Sequence, residues 1–167
     1  MTIKAVVFDL GGTLVDFPPF PELAQAGFEH AYAEVSSRRE LGTIGRHDFV
    51  STLSEEEALA WSRLGKTPSI GRLDAVIERG LQSLAVTARV DLIRAIEAAF
   101  YDCVWSAPRP AVDARSTLHA LKSGGMGLAL ISNTLWQGRQ HTRQLERDGL
   151  AQYFDHCTFS SSKIWAK

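Results

Sequence analysis

The sequence predicts an α/β fold, an open parallel sheet with a block of helices inserted after its first strand. Three observations predict it. Ala5-Val6-Val7-Phe8 is a continuous apolar run, rich in β-branched residues, that ends near Gly11-Gly12. A second such run, Gly127 to Ile131, ends in Ser132-Asn133-Thr134. More than a hundred residues of mostly helical pattern separate the two. Continuous apolar runs of this length suit parallel strands buried on both faces, and strand–helix–strand alternation is the signature of an α/β sheet.

Taken in order, the first strand spans Ile3 to Leu10. Leu23, Phe28, Ala31 and Val35 then keep helical spacing, and Phe49, Leu53, Leu59, Trp61 and Leu64 mark a less regular segment. Leu73, Val76, Ile77, Leu81 and Leu84 follow a three–four rhythm, as do Leu92, Ile93, Ile96, Phe100 and Cys103. Pro18-Pro19, Gly42 to Gly45, Gly65 to Gly71, Pro108 and Pro110 punctuate these segments. Asp113 to Ser123 reads as a helix with Leu118 and Leu121 on one face, stopped by Gly124-Gly125. A polar helix around Arg139 to Arg147 leads to a weaker third strand, His156 to Phe159. The division expected is a core of residues 1–16 and 106–167 around a helical domain of 17–105.

Composition narrows the function. The chain is 45% hydrophobic with a net charge of −1, so it lacks the basic surplus of a general nucleic-acid binder. No apolar run approaches the roughly 20 residues of a membrane span. The N-terminus enters a strand without a cleavage site, and Cys103 and Cys157 form no disulfide framework, which points to a reduced, cytoplasmic protein. A small-molecule substrate is the expected partner, with no nucleic acid and no membrane.

The strongest chemical signal is Val6-Val7-Phe8-Asp9-Leu10-Gly11-Gly12-Thr13-Leu14-Val15-Asp16. An Asp just past a buried parallel strand stands at the mouth where α/β sheets bind ligands. The glycines let the backbone turn and present amides to an anion. The same pattern also fits an Asp that only caps a turn. Ser132-Asn133 falls at the end of a second strand, where it reads either as a turn or as a hydroxyl and amides facing the same mouth. Two such motifs on neighbouring strands favour a site.

FDLGGTLVD, the long helical insert, ALISNT, and GLAQYFDHCTFSSSKIWAK together resemble the haloacid dehalogenase-like (HAD) hydrolases, in the subgroup whose Rossmann-like core carries an α-helical cap. The resemblance implies that Asp9 is the nucleophile, that Ser132 holds the transferred phosphate, and that a Lys follows the third strand. Lys167, about a dozen positions beyond Asp155, fits that place, with Lys163 a nearby competitor on the surface. Gly11, Gly12, Thr13, Ser132 and Asn133 would bind the phosphate. Asp9 and the Gly11 carbonyl would be the ligands this chain offers to Mg²⁺, the implied cofactor.

The chain departs from the family pattern twice. Family phosphatases usually place a second Asp, the general acid and base, where this chain has Gly11. Family dehalogenases lack that Asp because halide leaves without a proton. Asp16 reads as a solvated loop carboxylate. The family's fourth, acidic motif does not follow the third strand, so the sequence reads as a truncated piece of a longer hydrolase whose first strand is left as an apolar edge. The functions implied are a Mg²⁺-dependent phosphatase of a small organic phosphate, a 2-haloacid dehalogenase, or an inactive binding or scaffold module.

Other features read more plainly. His30, His47, His119, His141 and His156 lack metal-ligand spacing and read as surface or capping residues. Trp61 and Trp105 read as helical-domain core. Glu55-Glu56-Glu57 reads as the charged first turn of a helix. Arg139, Arg143 and Arg147 form one basic, solvent-facing stripe.

Overall fold

The computed structural model describes residues 3–64 and 72–162. These divide into two compact units, one of residues 3–17 and 108–162, the other of 18–64 and 72–107.

The first unit is built on three parallel strands, β1 (Ala5–Phe8), β4 (Gly127–Ser132) and β5 (His156–Phe159). They lie in the order β1-β4-β5, with Phe8 opposite Leu130 and Ser132 opposite Phe159. The helices α5 (Ala114–Ser123) and α6 (Gly138–Arg147) lead into β4 and β5 respectively. Alternation along β4 buries Leu128, Leu130 and Ser132, and the two leucines join Leu10, Leu14, Val15, Leu118, Leu145, Leu150 and Phe159 in one core. Asp155 ties the sheet to α5, accepting hydrogen bonds from Lys122 at 2.6 Å and from the Leu128 amide at 2.9 Å.

Two expectations for β1 need correction. The strand is shorter than the apolar run, because Leu10 already belongs to the turn. It is not buried on both faces: Ala5 and Val7 are exposed, and Val7 keeps 60% of its surface. Its only partner among the described residues is β4, so one edge lacks the cover a central strand has. The sequence also did not reveal a two-residue antiparallel pair, β2 (Val15–Asp16) with β3 (Arg109–Pro110), which is too short to carry a period.

The second unit is four helices: α1 (Phe20–Val35), α2 (Arg46–Arg63), α3 (Leu73–Ser83) and α4 (Val90–Val104). α1 packs on α2 and α4, and α3 on α2 and α4. Phe28, Phe49, Leu53, Ile77, Ile96 and Phe100 fill the interior, with the Phe28 and Phe100 rings 4.8 Å apart. α2 departs most from expectation. Its helix begins at Arg46, behind Gly45, with no side-chain cap to mark it, and has Asp48 as its first-turn acid. Glu55-Glu56-Glu57 therefore sits well inside the helix, and Glu57 is turned inward and buried. Leu59, expected inside, is instead exposed.

Candidate active site

Parallel pairing brings the C-terminal ends of β1 and β4 to one edge of the sheet. Asp9 follows the last β1–β4 pair, and Ser132 lies two residues past Leu130 on the neighbouring strand, which runs about 5 Å away. Asp9 is half-buried and Ser132 buried, while Gly11, Gly12 and Thr13 are exposed.

The turn after Asp9 is fixed by its backbone. The Leu10 carbonyl accepts hydrogen bonds from the amides of Thr13 (3.3 Å), Leu14 (2.9 Å) and Val15 (3.0 Å), and the Gly12 amide donates to the Val15 carbonyl at 2.9 Å. Leu10, Leu14 and Val15 anchor both ends of the loop in the core. Gly12 has φ +71°, in the left-handed region where a side chain is costly. Gly11 differs: a Cβ built there meets only the Phe17 ring, at 3.7 Å. The missing carboxyl is thus not excluded by space.

A buried polar cluster supports the turn after Ser132. The Thr134 amide donates to Ser160 Oγ at 2.9 Å, and that hydroxyl donates back to the Thr134 carbonyl at 3.2 Å. The Trp136 amide donates to Thr134 Oγ1 at 3.0 Å, and Thr134 Oγ1 lies 2.8 Å from His141 Nε2. The His141 ring stacks on Phe159 at 5.0 Å. Burial lowers the His141 pKa from 6.5 to about 3. The expectation of a surface or capping histidine is overturned here, while His30, His47, His119 and His156 are exposed. No spacing rule singles out Thr134, His141 or Ser160. The only sequence signal was a run of hydroxyl residues at two strand ends.

Lys167 and its competitor Lys163 lie outside the described residues. For Mg²⁺ the donors at this edge are the Asp9 carboxylate and the carbonyl of the exposed Gly11. The Gly11–Val15 bridge uses the Leu10 carbonyl and Gly12 amide and leaves the Gly11 carbonyl out of its bonding pattern. A half-buried carboxylate and an exposed turn carbonyl are oxygen donors that fit a cation that prefers oxygen and keeps several waters. No group of three His, Cys, Asp or Glu that could hold a metal exists among the described residues. Arg139, Arg143 and Arg147 of α6 face solvent, and both cysteines are free. No described helix is long and apolar enough to cross a membrane.

A parallel sheet flanked by helices, with an Asp-led glycine turn beside a Ser-Asn strand end and a helical insert after the first strand, places the chain in the α/β class. The model of the haloacid dehalogenase-like hydrolase family matches residues 3–165, and the chain belongs to that family. Solved structures share the fold. One is described as a predicted phosphoglycolate phosphatase from Haemophilus somnus, 20% identical with a TM-score of 0.55, matched over 99% of this chain and 66% of its own. Another is the HAD-hydrolase YfnB of Bacillus subtilis bound to magnesium, 13% identical with a TM-score of 0.57, over 100% of this chain and 68% of its own. A third is L-2-haloacid dehalogenase from Xanthobacter autotrophicus, 19% identical with a TM-score of 0.50, over 99% and 60%. The chain thus spans about two-thirds of the length of these relatives. The search of curated proteins gave no match.

Proposed function

We propose that this chain is a Mg²⁺-dependent phosphatase that acts on a small organic phosphate through an aspartyl-phosphate intermediate. The observation that supports the reading is the register of β1 and β4: Asp9 directly follows β1 and Ser132 ends its parallel neighbour, at the carboxyl ends of strands where α/β sheets commonly bind ligands. The Asp9 carboxylate attacks phosphorus. A P–O bond to Asp9 forms as the bond to the leaving alkoxide or phenoxide breaks, and water then hydrolyses the acyl phosphate and returns Asp9. The Ser132 hydroxyl, Asn133 and the exposed turn of Gly11 to Thr13 hold the phosphoryl oxygens, with Lys167 as the cation implied by the family resemblance. Asp9 and the Gly11 carbonyl would hold Mg²⁺, which would supply charge neutralisation.

Gly11 offers no proton to the leaving group, a role typically worth about 10²–10⁴-fold in rate, so substrates with acidic leaving groups turn over best. The test is hydrolysis of para-nitrophenyl phosphate. Turnover is expected with Mg²⁺, lost on chelation, and reduced about a thousandfold or more in Asp9→Asn. Activity retained in that variant removes Asp9 as nucleophile. A second reading is displacement of halide from a 2-haloacid by the same carboxylate; Gly11 is compatible with it, because halide needs no proton, but does not select it. Halide release without Mg²⁺ selects it. If neither substrate turns over and vanadate with Mg²⁺ gives no thermal shift, the chain is an inactive module.

A further inference from the structure

We propose that the groove between α5 and Tyr153 is a binding site for a small organic carboxylate, one negative head on an aromatic or alkyl body. The groove lies wholly within the sheet unit and has a volume of about 700 Å³, in the range of small-molecule sites. It takes no residue from the Asp9 turn or the Ser132 strand end. Pro110, Val112 and the Tyr153 ring give it an apolar side. Val112 is 96% exposed, so apolar surface is covered when a ligand body settles there. The His119 ring meets Tyr153 edge-on at 6.3 Å and braces that side.

Arg115 selects the head. Its Nη2 donates to the Asp148 carbonyl, a neutral acceptor, at 2.6 Å, and the guanidinium lies across Gly149. A Cβ at Gly149 would stand 2.9 Å from that nitrogen, so the bare glycine, at φ +66°, lets the fork approach the backbone. A guanidinium is always charged and carries five N–H donors in a fixed plane, so one bond to a carbonyl orients it and leaves donors for a ligand. Among the described residues Arg115 makes no ion pair, and the Asp148 carboxylate is engaged by Arg147 instead, at 3.3 Å. A carboxylate presents two oxygens that match a guanidinium fork side by side.

The rest of the lining agrees with that charge. Arg109 is the other permanently charged group in it, and no carboxylate lines the groove. Asp16 stands opposite Arg109 in the β2–β3 pair, where unlike charges attract, so Arg109 is not counted and Arg115 carries the selection. Asp113 precedes α5 but lies outside the lining. A cationic ligand is repelled by the guanidinium, and a neutral one gains only the apolar side.

The experiment is a proton–nitrogen NMR titration of the whole chain, without Mg²⁺, with 3-phenylpropionate, 2-phenylethanol and propionate. It is followed at the Arg115 Nε–H and at the amides from Val112 to His119. 3-Phenylpropionate is expected to bind about fivefold tighter than the alcohol, which lacks the charge, and about tenfold tighter than propionate, which lacks the ring. Arg115→Gln keeps an N–H for the Asp148 carbonyl, and should bring 3-phenylpropionate down to the level of the alcohol while moving the alcohol less than about twofold. Val112→Asp removes no packing, since that side chain is in solvent, and sets a like charge in the groove. It should weaken 3-phenylpropionate about fivefold, and it decides the matter should Arg115→Gln fail to fold by circular dichroism. Equal affinity for 3-phenylpropionate and the alcohol, no shift at the α5 groups with any probe, or an unchanged affinity in the folded variant overturns the proposal. Asp9→Asn is expected to bind 3-phenylpropionate as the parent chain does, which keeps this result separate from the test of the nucleophile.

Discussion

Thr134 Oγ1 accepts the Trp136 amide and lies 2.8 Å from His141 Nε2, a hydrogen bond that a neutral ring makes in either direction according to its tautomer. Burial among Trp136 and Phe159 reinforces the neutral ring. Between about pH 3 and 6.5 the unfolded chain protonates this histidine and the native state does not. Stability from this group is therefore complete above pH 6.5 and falls as pH drops toward 3. From pH 7 to 4.5 the loss attributable to His141 is on the order of 2 kcal/mol. Urea denaturation at both pH values checks it: the parent chain should lose that much more than His141→Gln, and parallel losses remove His141 as the cause. Acid also erodes the lowered pKa of Asp155, set first by the Lys122 hydrogen bond and then by the Leu128 amide, but equally in both proteins. Asp9 and Ser132 were legible in the sequence because strand ends announce themselves by composition. His141 was not, since Leu145 is the only other buried marker of that face besides a glutamine, and one i, i+4 pair does not single out a histidine.

Helices and strands long enough to show a period were legible, and the shortest elements were not. The three parallel strands and the four-helix insert follow from apolar runs and three–four spacing. β2 and β3 do not, nor does the start of α2, which lacks a capping side chain. The closeness of helix packing was equally silent. Gly27 of α1 lies against α4 so tightly that a Cβ would stand 2.6 Å from the Phe100 ring and 2.9 Å from Val104. Phe100 is fully buried and cannot swing aside. Alanine at an unhindered helix position gains about 1 kcal/mol over glycine, whereas overpacking costs about 1–3 kcal/mol. Gly27→Ala is thus expected to destabilise the chain by up to about 2 kcal/mol, read from a chemical denaturation midpoint at unchanged slope. A stabilised variant shows that α1 and α4 are free to separate.

At the scale of the whole chain, the apolar run that announced the fold also leaves it exposed. β1 was read from Ala5-Val6-Val7-Phe8 as buried on both faces, because sequence records hydrophobicity and not which neighbour covers it, although an apolar edge was expected along it. In the structure β1 pairs with β4 along one edge, and Val7 and Ile3 are exposed. An open edge with apolar side chains is a template for pairing with another chain, and natural proteins guard such edges with charge, especially Lys. Lys4 is the only charged residue in the stretch from Ile3 to Phe8. Placing a second charge at Val7 removes little packing, since that side chain is already in solvent, and stability should change by no more than about 0.5 kcal/mol. It does change the cost of bringing two edges together, because like charges then face each other across every new pair of strands. Sedimentation velocity over a concentration series checks this: the parent chain should self-associate at high concentration, and Val7→Lys should remain at monomer mass under the same conditions. Association unchanged by the substitution places the contact elsewhere on the molecule. A parent chain that stays monomeric throughout shows that the β1 edge is guarded by something other than charge.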